Sequence, residues 1–161
     1  TGFDGVTGPY DRIDIKGKED RCLKEEWTTF PRTLFGMQVD GYPNMLMILG
    51  PHTARGNIPR NIEEVVEWQT DLISFMMENE FDRVEPDSAA VDDWINTVSK
   101  ASEGLLSSKI ASWQTGVNRN VEGRSAPRVL GYNGGAVRYR KIIDSVATRE
   151  YQEFLFSQIG K

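Results

Sequence analysis

The spacing of apolar positions changes along the chain and divides it into two parts. Up to residue 49, apolar residues occur in short runs or at alternate positions, which is the spacing of β-strands. From Ile62 onward they recur every three or four positions, which is the spacing of a helix face. The pattern therefore predicts strands and loops over residues 1–60, followed by a mainly helical part over residues 61–161.

Three segments of the first part have the pattern of strands. Residues 10–27 alternate, turn at the polar stretch 17–20 and return, which predicts a β-hairpin. Residues 34–39 predict a second short strand, which ends at a glycine. The run 45–49 is apolar on both faces, so we expect it to be a central, parallel strand covered on both sides.

Helices dominate the prediction for the second part. Helices are expected from Ile62, over 88–106 and over 137–146, with a further short helix over 150–159. The span 107–135 is rich in glycine and is predicted to be loop. The first helix should bury one stripe of apolar residues, namely Ile62, Val65, Val66, Leu72, Ile73 and Met76.

Composition limits the classes of protein to consider. The chain has 161 residues, of which 39% are hydrophobic and 27% charged, as in ordinary globular domains. No apolar run approaches the roughly 20 residues of a membrane-spanning helix. A single cysteine and a single histidine argue against an internal disulfide and a zinc site, and fit a reducing compartment such as the cytoplasm. The net charge of −5 gives no reason to expect nucleic acid as a partner.

The stretch MLMILGPHTARGNIPRNIEEVVEW combines a predicted strand, a glycine-containing loop and a helix start. This geometry binds anionic or dinucleotide ligands at the carboxyl end of a parallel sheet, although ordinary connecting loops look the same. Gly50 and Gly56 would let the backbone approach a ligand closely. Asn57 would either cap the helix or hydrogen-bond the ligand. No G-x-G-x-x-G fingerprint occurs in the chain, so the phosphate cradle of a dinucleotide site is not part of it.

Two single side chains near the loops allow competing interpretations. His52 is either a general base or, more commonly for a lone loop histidine, a hydrogen-bonded bystander. Trp113 lies between polar residues and is either a packing anchor or a stacking surface for a planar ligand.

The segment 119–141 reverses the acidic balance of the chain, with six basic residues against one acid. These residues would bind a phosphate group, pair with carboxylates of the chain, or dock on another domain. Nucleic acid is a weaker option, because few aromatic residues are interleaved with the basic ones. The six are Arg119, Arg124, Arg128, Arg138, Arg140 and Lys141.

Five segments, in this order, resemble the C-terminal part of the flavin-dependent Baeyer–Villiger monooxygenases. They are TGFDGVTG, PRTLFGMQVDGYPNMLMILGP, NIPRNIEEVVEW, SWQTGVNRNVEGR and LGYNGGAVRYR, and together they reach from Thr1 to about Phe156. The loop GVNRNVEGR is longer than the common G-x-N-x-P-G-K form and lacks its proline. It is similar to the variant of fungal members that act on bulky ketones.

The resemblance implies an α/β fold, the C-terminal portion of a flavoprotein with two dinucleotide-binding, Rossmann-like domains. Residues 1–60 would complete the sheet of the FAD domain, and residues 61–161 would add helices and a mobile loop at about 107–135. Thr1, Gly2, Phe3 and Asp4 match the motif where the family's chain returns to the FAD domain.

The resemblance also implies the cofactors FAD and NADPH and the residues that contact them. The FAD-side residues would be Gly50, Pro51, Gly56, Asn57 and Ile58. The NADPH-side residues would be Trp113 and Asn118. The substrate pocket would be lined by Arg55, Gly56, Ile58, Gly131 and Asn133.

The family's glycine fingerprints and catalytic arginine are expected upstream of its TGFD-type motif, so no catalytic residue is expected in this segment. The chain is therefore expected to act only together with an N-terminal part, using molecular oxygen to convert a ketone into an ester or lactone. The alternative is a truncated relative without redox chemistry that acts as a binding or interaction module.

Overall fold

The computed structural model describes residues 5–160, and the motif Thr1–Asp4 lies outside them. Four α-helices and two β-strands are present in this part of the chain, connected by loops and single 3-10 turns. The helices are α1 (Leu23–Glu26), α2 (Ile58–Glu78), α3 (Ser88–Lys100) and α4 (Ala136–Thr148), and the strands are β1 (Arg83–Pro86) and β2 (Phe154–Ser157).

Helix α2 begins four residues before the predicted start, because Asn57 caps it. The side-chain oxygen of Asn57 accepts a hydrogen bond from the backbone N–H of Arg60 at 3.1 Å. Pro59 occupies the first turn, where its missing N–H costs no helical hydrogen bond. The capping alternative for Asn57 is thus confirmed, and the loop that precedes the helix is correspondingly shorter.

The apolar stripe predicted for α2 was only partly right. Val65 and Leu72 are buried as expected, but Asn61, Trp68 and Gln69 complete the buried face. Ile62, Val66 and Ile73 lie 37–43% exposed on another side of the helix. Because α2 carries apolar residues on its buried side and also on an exposed side, its spacing did not reveal which side faces this core.

Helices α3 and α4 confirm the predictions for their segments, although α3 ends at Lys100 and not near residue 106. Asp87 caps α3 through hydrogen bonds from the backbone N–H groups of Ala89 and Ala90. The main core lies between α2, α3 and α4, where aromatic rings pack edge to face or tilted. The indole N–H of Trp68 donates to the carbonyl oxygen of Ile143 at 2.8 Å and ties α2 to α4.

The helix predicted over residues 150–159 is wrong. Glu150 and Tyr151 adopt left-handed φ angles of 55° and 56°, which end the helical path. Strand β2 follows and pairs antiparallel with β1, with Val84 opposite Phe156. Phe156 also stacks on Phe81, so burial against a partner about 70 residues earlier in the chain decides the conformation here.

The hairpin and the short strand predicted before residue 40 are also wrong. In place of a hairpin, the segment forms 3-10 turns at Tyr10–Arg12 and Lys18–Asp20, helix α1 and a single antiparallel bridge, Lys16–Cys22. Residues 34–39 fold into a tight turn closed by a Leu34–Gln38 bridge. Phe35 and Gly36 take left-handed φ angles in that turn, which no extended strand allows.

The run 45–49 does not form the predicted parallel strand in this structure. The backbone N–H of Met47 donates to Met37, and its carbonyl oxygen accepts from the side chain of Gln69. Leu49 has a left-handed φ of 57°, which ends the extended path. Apolar character on both faces predicted burial, but a strand also requires a neighbour that supplies a ladder of hydrogen bonds.

Within residues 5–160, no helix combines the length and apolar character that crossing a membrane requires. The same residues contain no group of three histidine, cysteine, aspartate or glutamate side chains positioned to hold a metal ion.

Candidate functional site

A pocket of about 300 Å³ lies at the N-terminal end of α2. It is enclosed by the loop 50–58, the turn at 113–114 and the segment 130–131. These three segments come from distant parts of the sequence. The pocket brings together six of the residues predicted to contact cofactor or substrate: Gly50, Arg55, Gly56, Ile58, Trp113 and Gly131.

The loop 50–58 is held from below by the turn at residues 34–38. The backbone N–H of Gly50 donates to the carbonyl oxygen of Gly36 at 3.1 Å, and the hydroxyl of Thr33 donates to the carbonyl oxygen of Pro51 at 2.8 Å. A Cβ atom on Gly50 would lie 2.5 Å from the same Gly36 oxygen, so the two backbones touch. Glycine is required at position 50 for this close approach.

His52 is fully buried beneath the loop and does not line the pocket. Its Nδ1 lies 3.1 Å from the hydroxyl of Thr33, and its Nε2 lies 3.2 Å from the carbonyl oxygen of Val129. Burial lowers the pKa of the imidazole to about 4, because the charged form loses its hydration. A neutral ring donates from Nε2–H to the carbonyl oxygen of Val129, which can only accept, and Nδ1 lies against the Thr33 hydroxyl, whose proton is donated to Pro51. The hydrogen-bonded interpretation of His52 fits, and a ring enclosed in this way has no access to a substrate in the pocket.

A short parallel pairing joins the loop to the segment after residue 130. The backbone N–H of Tyr132 donates to Thr53 at 2.9 Å, and that of Arg55 donates to Tyr132 at 3.3 Å. The backbone N–H of His52 adds a third hydrogen bond, to the carbonyl oxygen of Leu130. The pocket floor is therefore a fixed piece of backbone and not two independent loops.

Trp113 lies at the pocket rim, 51% exposed, at the start of a 3-10 turn, Trp113–Thr115. Ser112 and Thr115 close this turn through reciprocal side-chain and backbone hydrogen bonds. Gly116 ends it with a left-handed φ of 69°. The turn presents a large planar side chain toward the pocket, which suits the stacking interpretation of Trp113.

Arg55 is the charged residue among those that line the pocket. Its Nη1 donates to the side-chain oxygen of Gln114 at 3.1 Å, and its Nη2 donates to the backbone oxygen of Gln114 at 2.9 Å. The guanidinium thus bridges the loop 50–58 and the turn that carries Trp113.

Four predicted site residues lie outside the pocket lining. Pro51 is buried, and Asn57 caps α2. The side chain of Asn118 accepts from the N–H of Asn120 at 3.1 Å, and that of Asn133 donates to the hydroxyl of Ser102 at 2.8 Å.

The basic segment is partly used for ion pairs within the chain. Arg124 is 3% exposed and lies 2.5 Å from a carboxylate oxygen of Asp11. Arg140 pairs with Glu64 at 3.0 Å, and Arg128 donates to the carbonyl oxygen of Gly116. Of the interpretations left open by the sequence, pairing with carboxylates describes Arg124 and Arg140.

Comparisons with known proteins decide the family. Cyclohexanone 1,2-monooxygenase of an Acinetobacter species is 36% identical over 154 residues, 96% of this chain, and the phenazine N-monooxygenase PhzNO1 of Lysobacter antibioticus is 36% identical over 155 residues. The crystal structure of cyclohexanone monooxygenase from Rhodococcus sp. Phi1, bound to NADP+, superposes with a TM-score of 0.91 at 33% identity over 99% of this chain. The chain belongs to the Baeyer–Villiger and related FAD-binding monooxygenases.

The chain spans about 28% of the length of the curated relatives it matches, and 29% of the cyclohexanone monooxygenase chain. It corresponds to the C-terminal portion of these monooxygenases, which confirms the predicted fold class, a portion of a Rossmann-like flavoprotein with added helices. A scan against family models gave no match. The fungal, bulky-ketone subtype stays a prediction.

Sequence reasoning missed several residues that line this pocket, among them the polar side chains of Asn61 and Gln114. Asn61 is 8% exposed, and its side-chain N–H donates to the carbonyl oxygen of Ala54 at 3.0 Å. An asparagine on the otherwise apolar buried side of α2 was the available signal, because a polar side chain there needs a partner. Nothing in the sequence around Gln114 indicated its pairing with Arg55.

Proposed function

We propose that this chain works as the C-terminal part of an FAD- and NADPH-dependent monooxygenase that inserts one atom of O₂ beside a ketone carbonyl. The observation that carries the proposal is the pocket at the start of α2, which gathers residues matched to flavin, nicotinamide and substrate positions. The identity to cyclohexanone monooxygenase over nearly the whole chain supports it.

The residues around the pocket fit a flavin placed at its edge. We assign Gly50, Pro51, Gly56, Asn57 and Ile58 to the FAD side. A Cβ on Gly56 would make only ordinary van der Waals contacts, the nearest at 3.7 Å to the side chain of Asn61, so packing within this chain does not require glycine at the mouth of the loop. The N-terminal end of a 21-residue helix adds partial positive charge, which favours electron-rich parts of a bound group. When bound, FAD would supply the activation of oxygen.

Trp113 and Asn118 are assigned to NADPH, and Arg55, Gly56, Ile58, Gly131 and Asn133 to the substrate pocket. The indole is half-exposed at the pocket rim, and this placement of a planar aromatic face supports its assignment to the nicotinamide ring. Asn118 and Asn133 lie farther back and are held by local hydrogen bonds. Their roles therefore depend on movement of the loop at about 107–135, which we propose to be the mobile, nucleotide-facing segment.

The remaining part of the monooxygenase is proposed to pack on the exposed side of α2. Residues 1–60 are assigned to the FAD domain and 61–161 to the helical part that follows it. Five apolar side chains of α2 form a continuous exposed stripe that an additional domain would cover. They are Ile58, Ile62, Val66, Ile73 and Met77, which are 37–75% exposed. We place the complete enzyme in the cytoplasm.

Replacement of Trp113 by alanine in the complete enzyme tests the proposal. We expect the KM for NADPH to rise about tenfold or more, the effect of losing a stacking surface, while FAD content is retained. Trp113→Phe keeps an aromatic face, so its KM for NADPH should lie between those of the wild type and Trp113→Ala. Unchanged kinetics with NADPH in Trp113→Ala would refute the assignment. A complete protein that binds no flavin would refute the proposed function itself.

Oxidation of a ring nitrogen is the second candidate activity, favoured by the equal identity to a phenazine N-monooxygenase. Assays of the complete enzyme with cyclic ketones and with phenazine, each followed by product mass, separate the two. Both products carry one added oxygen atom, but only the ketone product is hydrolysed to a hydroxy acid. We expect the ketone to be the better substrate, and larger polycyclic ketones to be accepted.

A further inference from the structure

Arg55 links two segments that are 59 residues apart in the sequence. Both of its terminal nitrogens donate to Gln114, one to the side chain at 3.1 Å and one to the backbone at 2.9 Å. Hydrogen bonds from a charged donor are stronger than those between neutral groups, and a planar guanidinium fixes direction as well as distance.

The backbone of Arg55 and the start of its side chain are themselves held in place. Its backbone N–H donates to Tyr132, within the short parallel pairing beneath the pocket. Its side chain lies across Gly131, where an added Cβ would come within 2.7 Å of Nε and 3.2 Å of Cγ. Because residue 131 is a glycine, there is space beside it for the side chain of Arg55 to reach Gln114.

Gln114 belongs to the same turn as Trp113. This turn is closed by its own hydrogen bonds, among them one from the N–H of Gly116 to the carbonyl oxygen of Trp113 at 3.0 Å. Such a closed turn moves as a unit, so a contact that fixes Gln114 also fixes the indole beside it. Within residues 5–160, no carboxylate lies within ion-pair distance of Arg55 that would compete for its donors.

We infer that Arg55 is a positioning residue that holds the turn Trp113–Thr115 against the loop 50–58 and so keeps Trp113 at the rim of the pocket. The inference rests on the proposed function where it concerns NADPH, but the contact itself is independent of any cofactor. Release of the contact lets the turn move away from the pocket without unfolding the core.

The test uses Arg55→Met in the complete enzyme, because methionine keeps an apolar stem but has no donors. Amide hydrogen exchange in peptides covering 110–118 should become at least about tenfold faster, because both hydrogen bonds from the guanidinium to Gln114 are lost, while exchange in α3 and α4 stays unchanged. The KM for NADPH should rise by a similar factor. Arg55→Lys, which can make one of the two contacts, should recover part of the loss.

Arg149→Met is the matched control. Arg149 pairs with Glu153 at the exposed end of α4, away from the pocket, so its loss should leave both exchange at 110–118 and the KM for NADPH unchanged. Gln114→Ala removes only the side-chain contact and should have a smaller effect than Arg55→Met. In the Arg55→Met background, Gln114→Ala should add nothing, because the two residues act through one interaction.

Unchanged exchange at 110–118 in Arg55→Met would overturn the inference, as would additive effects of the two substitutions. Faster exchange in Arg55→Met with unchanged NADPH kinetics would show that the contact holds the turn but would refute its role in positioning Trp113 for NADPH. If Trp113→Ala also left NADPH kinetics unaltered, the nicotinamide assignment would be at fault and not the contact.

Discussion

The Nε2 atom of His52 lies 3.2 Å from the carbonyl oxygen of Val129, and this contact joins the two walls of the pocket from beneath. His52 belongs to the loop before α2, and Val129 lies 77 positions later in the segment before α4. Both the ring and the backbone of His52 take part, since its backbone N–H also donates to the carbonyl oxygen of Leu130. The pocket therefore depends on an uncharged, fully buried imidazole.

Acidification should weaken this junction. Because the pKa of His52 is lowered from 6.5 to about 4 by burial, the unfolded chain takes up a proton more readily than the folded one. The stability that the neutral ring confers is present at pH 7, falls as the pH drops below 6.5, and stops falling below about 4. Between pH 7 and pH 5 this single group should cost about 2 kcal/mol.

Urea denaturation of the complete protein at pH 5 and pH 7 measures the effect, with His52→Gln as the comparison. Glutamine retains hydrogen-bonding groups but does not titrate. Between pH 7 and pH 5 the His52→Gln variant should therefore lose about 2 kcal/mol less unfolding free energy than the wild type. Equal losses in wild type and variant would show that His52 is not the titrating group.

The sequence allowed α3 and α4 to be predicted because both have strong helical periodicity, and their buried faces pack in one core. It failed for the strands, since pairing of β1 with β2 depends on residues about 70 positions apart. For the run 45–49, apolar composition signalled burial without showing whether a ladder partner is present.

The candidate site divides in the same way. Glycines and the helix cap of the loop 50–58 were readable, because backbone geometry demands particular residues at such positions. The contact of Arg55 with Gln114 could not be predicted from the sequence, because it joins two loops that have no periodic pattern. The burial of His52 depends on the packing of Phe30 and Thr33 around its ring, which also lies beyond local sequence.

Two glycines beside the pocket should respond differently to alanine. Gly36 has a left-handed φ of 71°, and an added Cβ would lie 2.6 Å from the backbone nitrogen of Thr53. Neither backbone can yield cheaply, so Gly36→Ala should lower the unfolding free energy by about 3 kcal/mol or more. An added Cβ on Gly131 meets the side chain of Arg55, which can swing away.

Gly131→Ala should therefore cost less than about 1 kcal/mol in stability but raise the KM for NADPH, since it displaces Arg55 from Gln114. Thermal unfolding and NADPH kinetics of both variants check the contrast. A larger loss of stability in Gly131→Ala than in Gly36→Ala would contradict it.

Two buried tyrosines of one cluster offer a final comparison. The hydroxyl of Tyr139 donates to the carbonyl oxygen of Phe35 at 2.7 Å and secures the turn below the loop 50–58. The hydroxyl of Tyr132 is also buried, and within residues 5–160 it has no hydrogen-bond partner. Tyr139→Phe should cost about 1–2 kcal/mol, because it leaves the buried oxygen of Phe35 without a donor.

Tyr132→Phe should be neutral or slightly stabilising, because it removes a polar atom whose burial is uncompensated. Both changes delete one oxygen from rings 6.2 Å apart, so differences in packing largely cancel. Urea denaturation of the two variants gives the comparison directly. Equal costs would show that a partner reaches Tyr132 in solution, and the hydrogen bond to Phe35 would then not explain the effect at Tyr139.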